Sequence, residues 1–253
     1  MTLLQANGVS LRRGGRAVVS GASLTLEKGR VVGLIGPNGA GKSTFMRMLA
    51  GLQAPDCGQI DLLGRDIGQI PPGLRARQLA FMPQDGEKPP PMPVRALVAL
   101  GRLPHGQVNA AQAARHPAVA HALAATGLHD LCARPASHLS GGERARMNLA
   151  RALATDTPVI LADEPIAALD PAHALSMMHL FRQQAGQGKG IVIVLHDLVL
   201  ATRFCDDLVL MDGGSVIRHG PPVQVLDDDI MRTVYGVTVR RVGDAIVPWA
   251  LCR

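Results

Sequence analysis

Short unbroken aliphatic runs recur along the chain, several of them followed by segments with helical spacing. Val31-Val32-Gly33-Leu34-Ile35 precedes a stretch in which Phe45, Met48, Leu49 and Leu52 share one helical face, with Gly51 placed to close the helix. Leu79 to Met82, Val159 to Ala162, Ile191 to Leu195 and Leu208 to Met211 read as further strands. Uninterrupted aliphatic runs suit parallel strands covered on both faces, so the pattern predicts a doubly wound α/β core. From about Pro89 to Thr157 the chain becomes Ala-rich and reads as helices. Pro117 is placed to open one, with Val119, Ala120, Leu123 and Ala124 on a shared face and Gly127 at its end. The expected organisation is one domain, 1–253. Its core is 1–88 and 158–220, its inserted helical lobe 89–157 and its tail 221–253. Pro89-Pro90-Pro91-Met92-Pro93 enters the lobe as a stiff extended connector. A short hairpin is expected after Gly213-Gly214, then helices near 221 to 235.

Composition narrows the function classes. Hydrophobic residues are 47% of the chain and charged ones 18%, which supplies a sizeable core and argues against disorder. The net charge of +6 suits contact with a polyanion. Trp249, Tyr235 and four Phe leave few rings for stacking bases, which weakens single-strand nucleic-acid binding. Cys57, Cys132, Cys205 and Cys252 lack CxxC spacing, so neither a zinc site nor a disulfide framework is expected, and a reducing compartment is. The first twenty residues hold Arg12, Arg13 and Arg16 but no continuous apolar stretch, so no secretory leader is expected. The longest aliphatic runs fall far short of a membrane span.

The chemistry begins at Gly36-Pro37-Asn38-Gly39-Ala40-Gly41-Lys42-Ser43-Thr44, which fits GxxxxGK[ST] at every position, after a strand and before a helix. Glycines let backbone N–H groups reach phosphate oxygens, and the helix N-terminus adds partial positive charge. Lys42 is expected at the β- and γ-phosphates and Ser43 at Mg²⁺. The Val159 to Ala162 run ends in Asp163-Glu164-Pro165. Asp163 is placed to hold Mg²⁺ and Glu164 to polarise the attacking water. His196 and Gln84 each follow a strand expected to end on the same edge. His196 can bond the γ-phosphate, and Gln84 can touch Mg²⁺ and the water.

Leu139-Ser140-Gly141-Gly142-Glu143 has capping-box spacing at a helix start, and its glycines and helix tip make a second anion site. With one side of a nucleotide already held by the P-loop, that tip requires another nucleotide, which a second copy provides. Here the sequence closely resembles the ATP-binding subunits of ABC transporters. The resemblance runs in the order P-loop 36–44, Gln84, LSGGE 139–143, the strand 159–162 with Asp163 and Glu164, Ala168-Leu169-Asp170 and His196. It implies a P-loop NTPase core with a mainly parallel sheet, an N-terminal antiparallel β subdomain and an inserted α-helical subdomain. It also implies a head-to-tail dimer in which ATP and Mg²⁺ on one P-loop are completed by Ser140, Gly141, Gly142 and Glu143 of the other copy, with Asp170 communicating across it.

Ala99-Leu100-Gly101-Arg102-Leu103-Pro104-His105 further resembles the iron-siderophore, haem and cobalamin uptake group, as do Pro221-Pro222 with Val225-Leu226 and Val234 to Val237. That implies an ATPase powering chelate import at the cytoplasmic face of the inner or plasma membrane. It would act through a separate permease and, indirectly, an extracytoplasmic binding protein. The alternative is a soluble ABC ATPase for iron–sulfur cluster assembly. One P-loop and no sustained heptads speak against the nucleic-acid-linked relatives, so no nucleic-acid partner is expected. Arg12 and Arg13 stand where the family places an adenine-stacking aromatic, and a guanidinium plane is expected to take its role. Ile166 replaces the common Thr after Glu-Pro, and Ala167-Ala168 stand where Ser commonly begins the loop to Asp170.

Overall fold

The computed structural model describes residues 1–84, 89–167, 169–243 and 245–252. The first two strands, β1 (Thr2–Arg13) and β2 (Arg16–Glu27), form a hairpin whose turn is Gly14-Gly15, with φ of 54° and 78°. Such left-handed pairs match the twist of a tight hairpin. β3 (Val31–Ile35) leads through the glycine loop into α1 (Lys42–Leu49). β4 (Cys57–Leu62) and β5 (Arg65–Asp66) complete an antiparallel sheet of order β2-β1-β4-β5. The short α2 (Pro72–Arg75) precedes β6 (Leu79–Met82).

The middle of the chain supplies α3 (Val94–Ala99), a 3-10 segment over Leu100–His105, α4 (Ala110–Ala114), α5 (Pro117–Ala125) and the long α6 (Gly141–Ala154). Next come β7 (Val159–Ala162), α7 (Pro171–Gly186), β8 (Gly190–Val194), α8 (Leu198–Phe204), β9 (Asp207–Asp212) and β10 (Ser215–Gly220). The second sheet has order β10-β9-β3-β8-β7-β6, parallel throughout except for β10 at the edge. The chain continues through α9 (Pro222–Val225), α10 (Asp228–Thr233) and a hairpin of β11 (Val237–Val242) and β12 (Ala245–Leu251).

The aliphatic runs are explained by the two faces of the parallel sheet. Every residue of β3, β7 and β8 is buried. Alternate side chains enter different cores. Val31, Ile35, Ile160, Ile191 and Ile193 join the core beneath α6 and α7. Val32, Leu34, Leu161, Val192 and Val194 join the one shared with β1, β2 and α1. Thus α1, with Phe45, Met46, Met48 and Leu49 buried, is clamped between the two sheets.

Several expectations change. Leu52 lies beyond the end of α1, after Gly51 at φ 66°, and is 61% exposed rather than on the buried face. In α5 the buried residues are Val119, Ala122 and Leu123, whereas Ala120 and Ala124 face out. Alanine carries too little apolar surface to mark a face unaided. Gly213-Gly214 form the turn between β9 and β10 instead of preceding the hairpin.

The 99–105 segment has a physical role at the end of α6. A Cβ on Gly101 would strike the Arg151 carbonyl, so only glycine permits this approach. Arg102, 6% exposed, donates from Nη1 to the Ala154 carbonyl at 2.9 Å, and His105 Nε2 bonds the Thr155 carbonyl at 2.8 Å. The carbonyls that a helix leaves unpaired at its C-terminus are thereby satisfied by basic side chains.

Candidate nucleotide site

The turn from β3 to α1 is closely packed at two of its glycines. Gly36, Gly39 and Gly41 have φ of 142°, 81° and 93°. A Cβ on Gly36 would meet the Met211 carbonyl, and one on Gly41 would lie 2.5 Å from the Val18 carbonyl. The loop is therefore held between the end of β9 and the start of β2. No side chain caps α1, whose first-turn N–H groups are left for an anion. Asn38 is exposed at the crest, Ala40 is buried, and Thr44 is half-buried in the helix.

Lys42 is 5% exposed, and its Nζ donates to the Gly36 carbonyl at 2.7 Å and the Pro37 carbonyl at 2.9 Å. Burial lowers its pKa, against the opposing charges of Glu164 and Asp163. Asp163, at the end of β7, is 3% exposed, and Ser43 Oγ donates to its Oδ1 at 3.2 Å. Burial raises the Asp163 pKa, and the Ser43 bond opposes that shift.

This pair fits Mg²⁺. Two oxygen donors are adjacent, and a buried carboxylate would regain by cation binding what it lost on leaving water. Among the described residues no group of three His, Cys, Asp or Glu side chains is arranged to hold a metal alone. Because folding raises the Asp163 pKa, its carboxylate contributes instability that grows as pH rises from the ordinary carboxylate range through the raised value. Asp163→Asn is therefore expected to raise the nucleotide-free melting temperature by about 2 °C at neutral pH, with the gain vanishing below the carboxylate range. The same variant is expected to lose the extra stabilisation that Mg²⁺ adds to ATP. Scanning calorimetry across pH, with and without MgATP, checks both.

Glu164 has φ of 51°, a left-handed conformation that costs a non-glycine residue about 1–3 kcal/mol and clusters at functional sites. Its Oε2 accepts from Gln84 Nε2 at 2.8 Å and its Oε1 from His196 Nε2 at 2.7 Å. The C-terminal ends of β6, β7 and β8 thus bring Gln84, Asp163, Glu164 and His196 together, as the crevice rule for open α/β sheets anticipates. Gln84 is bonded to the carboxylate of Glu164 rather than to Ser43 or Asp163.

The α6 tip is not bare. Ser140 Oγ accepts from Glu143 N–H at 3.3 Å, and Glu143 Oε2 accepts from Ser140 N–H at 2.8 Å. The Ser140 N–H bond holds the Glu143 carboxyl below its usual range. The first α-helical bond is Arg144 N–H to the Ser140 carbonyl. Among the described residues, none of Ser140, Gly141, Gly142 or Glu143 bonds to residues 36–44. Asp170 caps α7 through His173 N–H; Ala168 nearby lies outside the described residues, as do residues 85–88 of the segment from Gln84 to the proline connector.

Arg12 and Arg13 stand at the β1–β2 turn, on the hairpin that carries Val18 against Gly41. Arg12 Nη2 donates to the Gly15 carbonyl and Arg13 Nη2 to Gln53 Oε1, at 2.5 and 2.9 Å.

Residues 19–167 match the family model described as ABC transporter. The chain belongs to the ABC transporter family. As an ATP-binding protein of that family it is an ATPase whose hydrolysis is coupled to transport. It is 40% identical over 233 residues to the hemin import ATP-binding protein HmuV of Rhodococcus jostii, covering 92% of this chain and 80% of that one. It is 37% identical over 254 residues to the achromobactin transport ATP-binding protein CbrD of Dickeya dadantii, covering 100% and 94%. The ADP conformation of MJ1267, an ATP-binding cassette of an ABC transporter, superposes with a TM-score of 0.82 at 26% identity, covering 93% of this chain and 98% of that one. Among the described residues no helix is long and apolar enough to cross a membrane.

Three side chains that shape this ABC cassette carry little signal in the sequence. No motif marks His173 in the sequence, and Arg102 and His105 enter only through the likeness of the 99–105 segment. The spacing from Asp170 to His173 at a helix start is the available signal for the first.

Proposed function

We propose that this chain is the ATP-hydrolysing subunit of an importer for a metal chelate of the iron-siderophore or haem type. It works as a homodimer on a separate membrane permease, at the cytoplasmic face, with an extracytoplasmic binding protein delivering the cargo. The relatives named for hemin import and achromobactin transport support the cargo class and speak against iron–sulfur cluster assembly. The observation that carries the ATPase reading is the double grip of Gln84 and His196 on Glu164, beside the Ser43–Asp163 pair.

The chemistry is set by those positions. The backbone of 36–41 and the α1 N-terminus hold the phosphate chain, and Lys42 turns its ammonium from the loop carbonyls to the β- and γ-oxygens. Ser43 and Asp163 would hold Mg²⁺, which would neutralise part of the phosphate charge. Glu164, with both oxygens aimed by Gln84 and His196, accepts a proton from the attacking water as its oxygen bonds the γ-phosphorus and ADP leaves. Arg12 and Arg13 offer guanidinium planes to adenine. The second copy brings Ser140, Gly141, Gly142 and Glu143 to the exposed side of the γ-phosphate, and Asp170 lies at the seam. Binding of two ATP closes the pair; hydrolysis opens it and moves the permease.

Vesicles holding this chain with its permease and binding protein test the reading. ATP-dependent accumulation of hemin or an iron-siderophore is the expected result. ATPase activity without uptake of any metal chelate would remove the cargo assignment.

A further inference from the structure

The α6 tip and the start of α7 belong to different parts of the fold, and His173 lies between them. His173, in the first turn of α7, donates from Nδ1 to Asp170 Oδ2 at 2.7 Å. Its own N–H donates to Oδ1 at 2.9 Å. These bonds hold the Asp170 carboxyl below its usual range, so the carboxylate accepts and Nδ1 carries the hydrogen. The far edge of the ring lies on Gly142. A Cβ there would fall 2.6 Å from Cδ2, 2.8 Å from Cγ and 3.0 Å from Nε2 of His173. Gly142 is not among the glycines with positive φ. Its backbone does not demand glycine; what a side chain there would meet is the imidazole.

Each neighbouring group has a different task. The Ser140–Glu143 box fixes the first turn of α6 internally, but it does not say where that turn sits relative to the core. Gly142 and Ser140 have no side-chain bond to α7 among the described residues. Beyond the apolar core that α6 and α7 share, the ring is a contact that joins the loop ending in Asp170 to the glycines of the α6 tip.

We infer that His173 is a positioning residue for the two-copy site: clamped by Asp170, its ring seats under Gly142 and fixes the angle at which one copy presents its serine-led tip to the other copy's nucleotide. This rests on the two-copy reading above. The role assigned to His173 passes through Gly142.

The test uses the full chain carrying Glu164→Gln, so that MgATP-dependent dimerisation is measured without turnover. Sedimentation gives the midpoint concentration for dimer formation, and a fluorescent ATP analogue gives affinity for the single chain. His173→Ala is expected to raise the dimer midpoint about tenfold or more and leave analogue affinity unchanged. Gly142→Ala pushes a methyl into the ring, so its penalty is expected to be larger with His173 present than with His173→Ala. That non-additivity is a readout general loosening of the fold would not produce. Should the alanine variant unfold, His173→Asn keeps a donor for Asp170 but removes the ring, and the same midpoint shift is expected. Unchanged dimerisation in the folded variant, or additive effects of the two substitutions, overturns the inference. Failure of the Glu164→Gln parent to dimerise with MgATP would instead overturn the two-copy reading.

Discussion

Replacing Glu164 by Gln is expected to slow ATP turnover by about 10²–10⁴-fold, the usual contribution of a positioned general base. The amide keeps the shape of the side chain and an oxygen for one of its two donors, Gln84 or His196. It cannot take a proton from water. Binding is expected to survive, because the phosphate-holding loop and the Ser43–Asp163 pair are untouched, and the ATP-loaded protein is expected to persist as a dimer. Phosphate release at saturating MgATP, with analogue titration in parallel, checks both halves. Turnover close to that of the parent would show that another group activates the water.

Lys42→Ala is expected to weaken nucleotide binding by roughly 30–1000-fold, corresponding to about 2–4 kcal/mol for charge-assisted bonds to phosphate. The buried ammonium has two partners, the Gly36 and Pro37 carbonyls, and holds the loop closed before any ligand arrives. Its loss therefore removes a phosphate contact and also relaxes the cradle. Burial already disfavours its charge, which the nucleotide's negative charge would restore. Titration of the fluorescent analogue reads the effect, and a melting curve separates loop relaxation from global unfolding. Parental affinity in a folded variant would remove Lys42 from the binding machinery.

The parallel core was legible because β3, β7 and β8 are buried on both faces and therefore spell out unbroken aliphatic runs. The acids after β7 were legible for the same reason: a polar pair abruptly ending such a run has to emerge at the sheet's edge. The long β1–β2 hairpin is hidden from pattern reading. Its register shifts between Ala6 and Val9 and again between Val9 and Leu11, and each shift breaks the two-residue alternation. Leu52 misleads because a cap at Gly51 ends the helix even when the next apolar residue keeps its spacing. Within the candidate site, residue types and their strand ends could be anticipated. The strained φ of Glu164, the His173–Gly142 contact and the docking of Arg102 onto α6 depend on elements distant in sequence, and no local pattern encodes them.

α6 is tied at both ends by side chains: Ser140 and Glu143 close its start, while Arg102 and His105 hold its last carbonyls. Fourteen residues at 1.5 Å each make it a stiff rod about 21 Å long. Leu100 and Leu103 are exposed beside that anchorage, so the surface they form is tied through Arg102 and His105 to the last turn of α6. That shoulder of the molecule and the glycines are thus opposite ends of a single element, with side-chain ties at each.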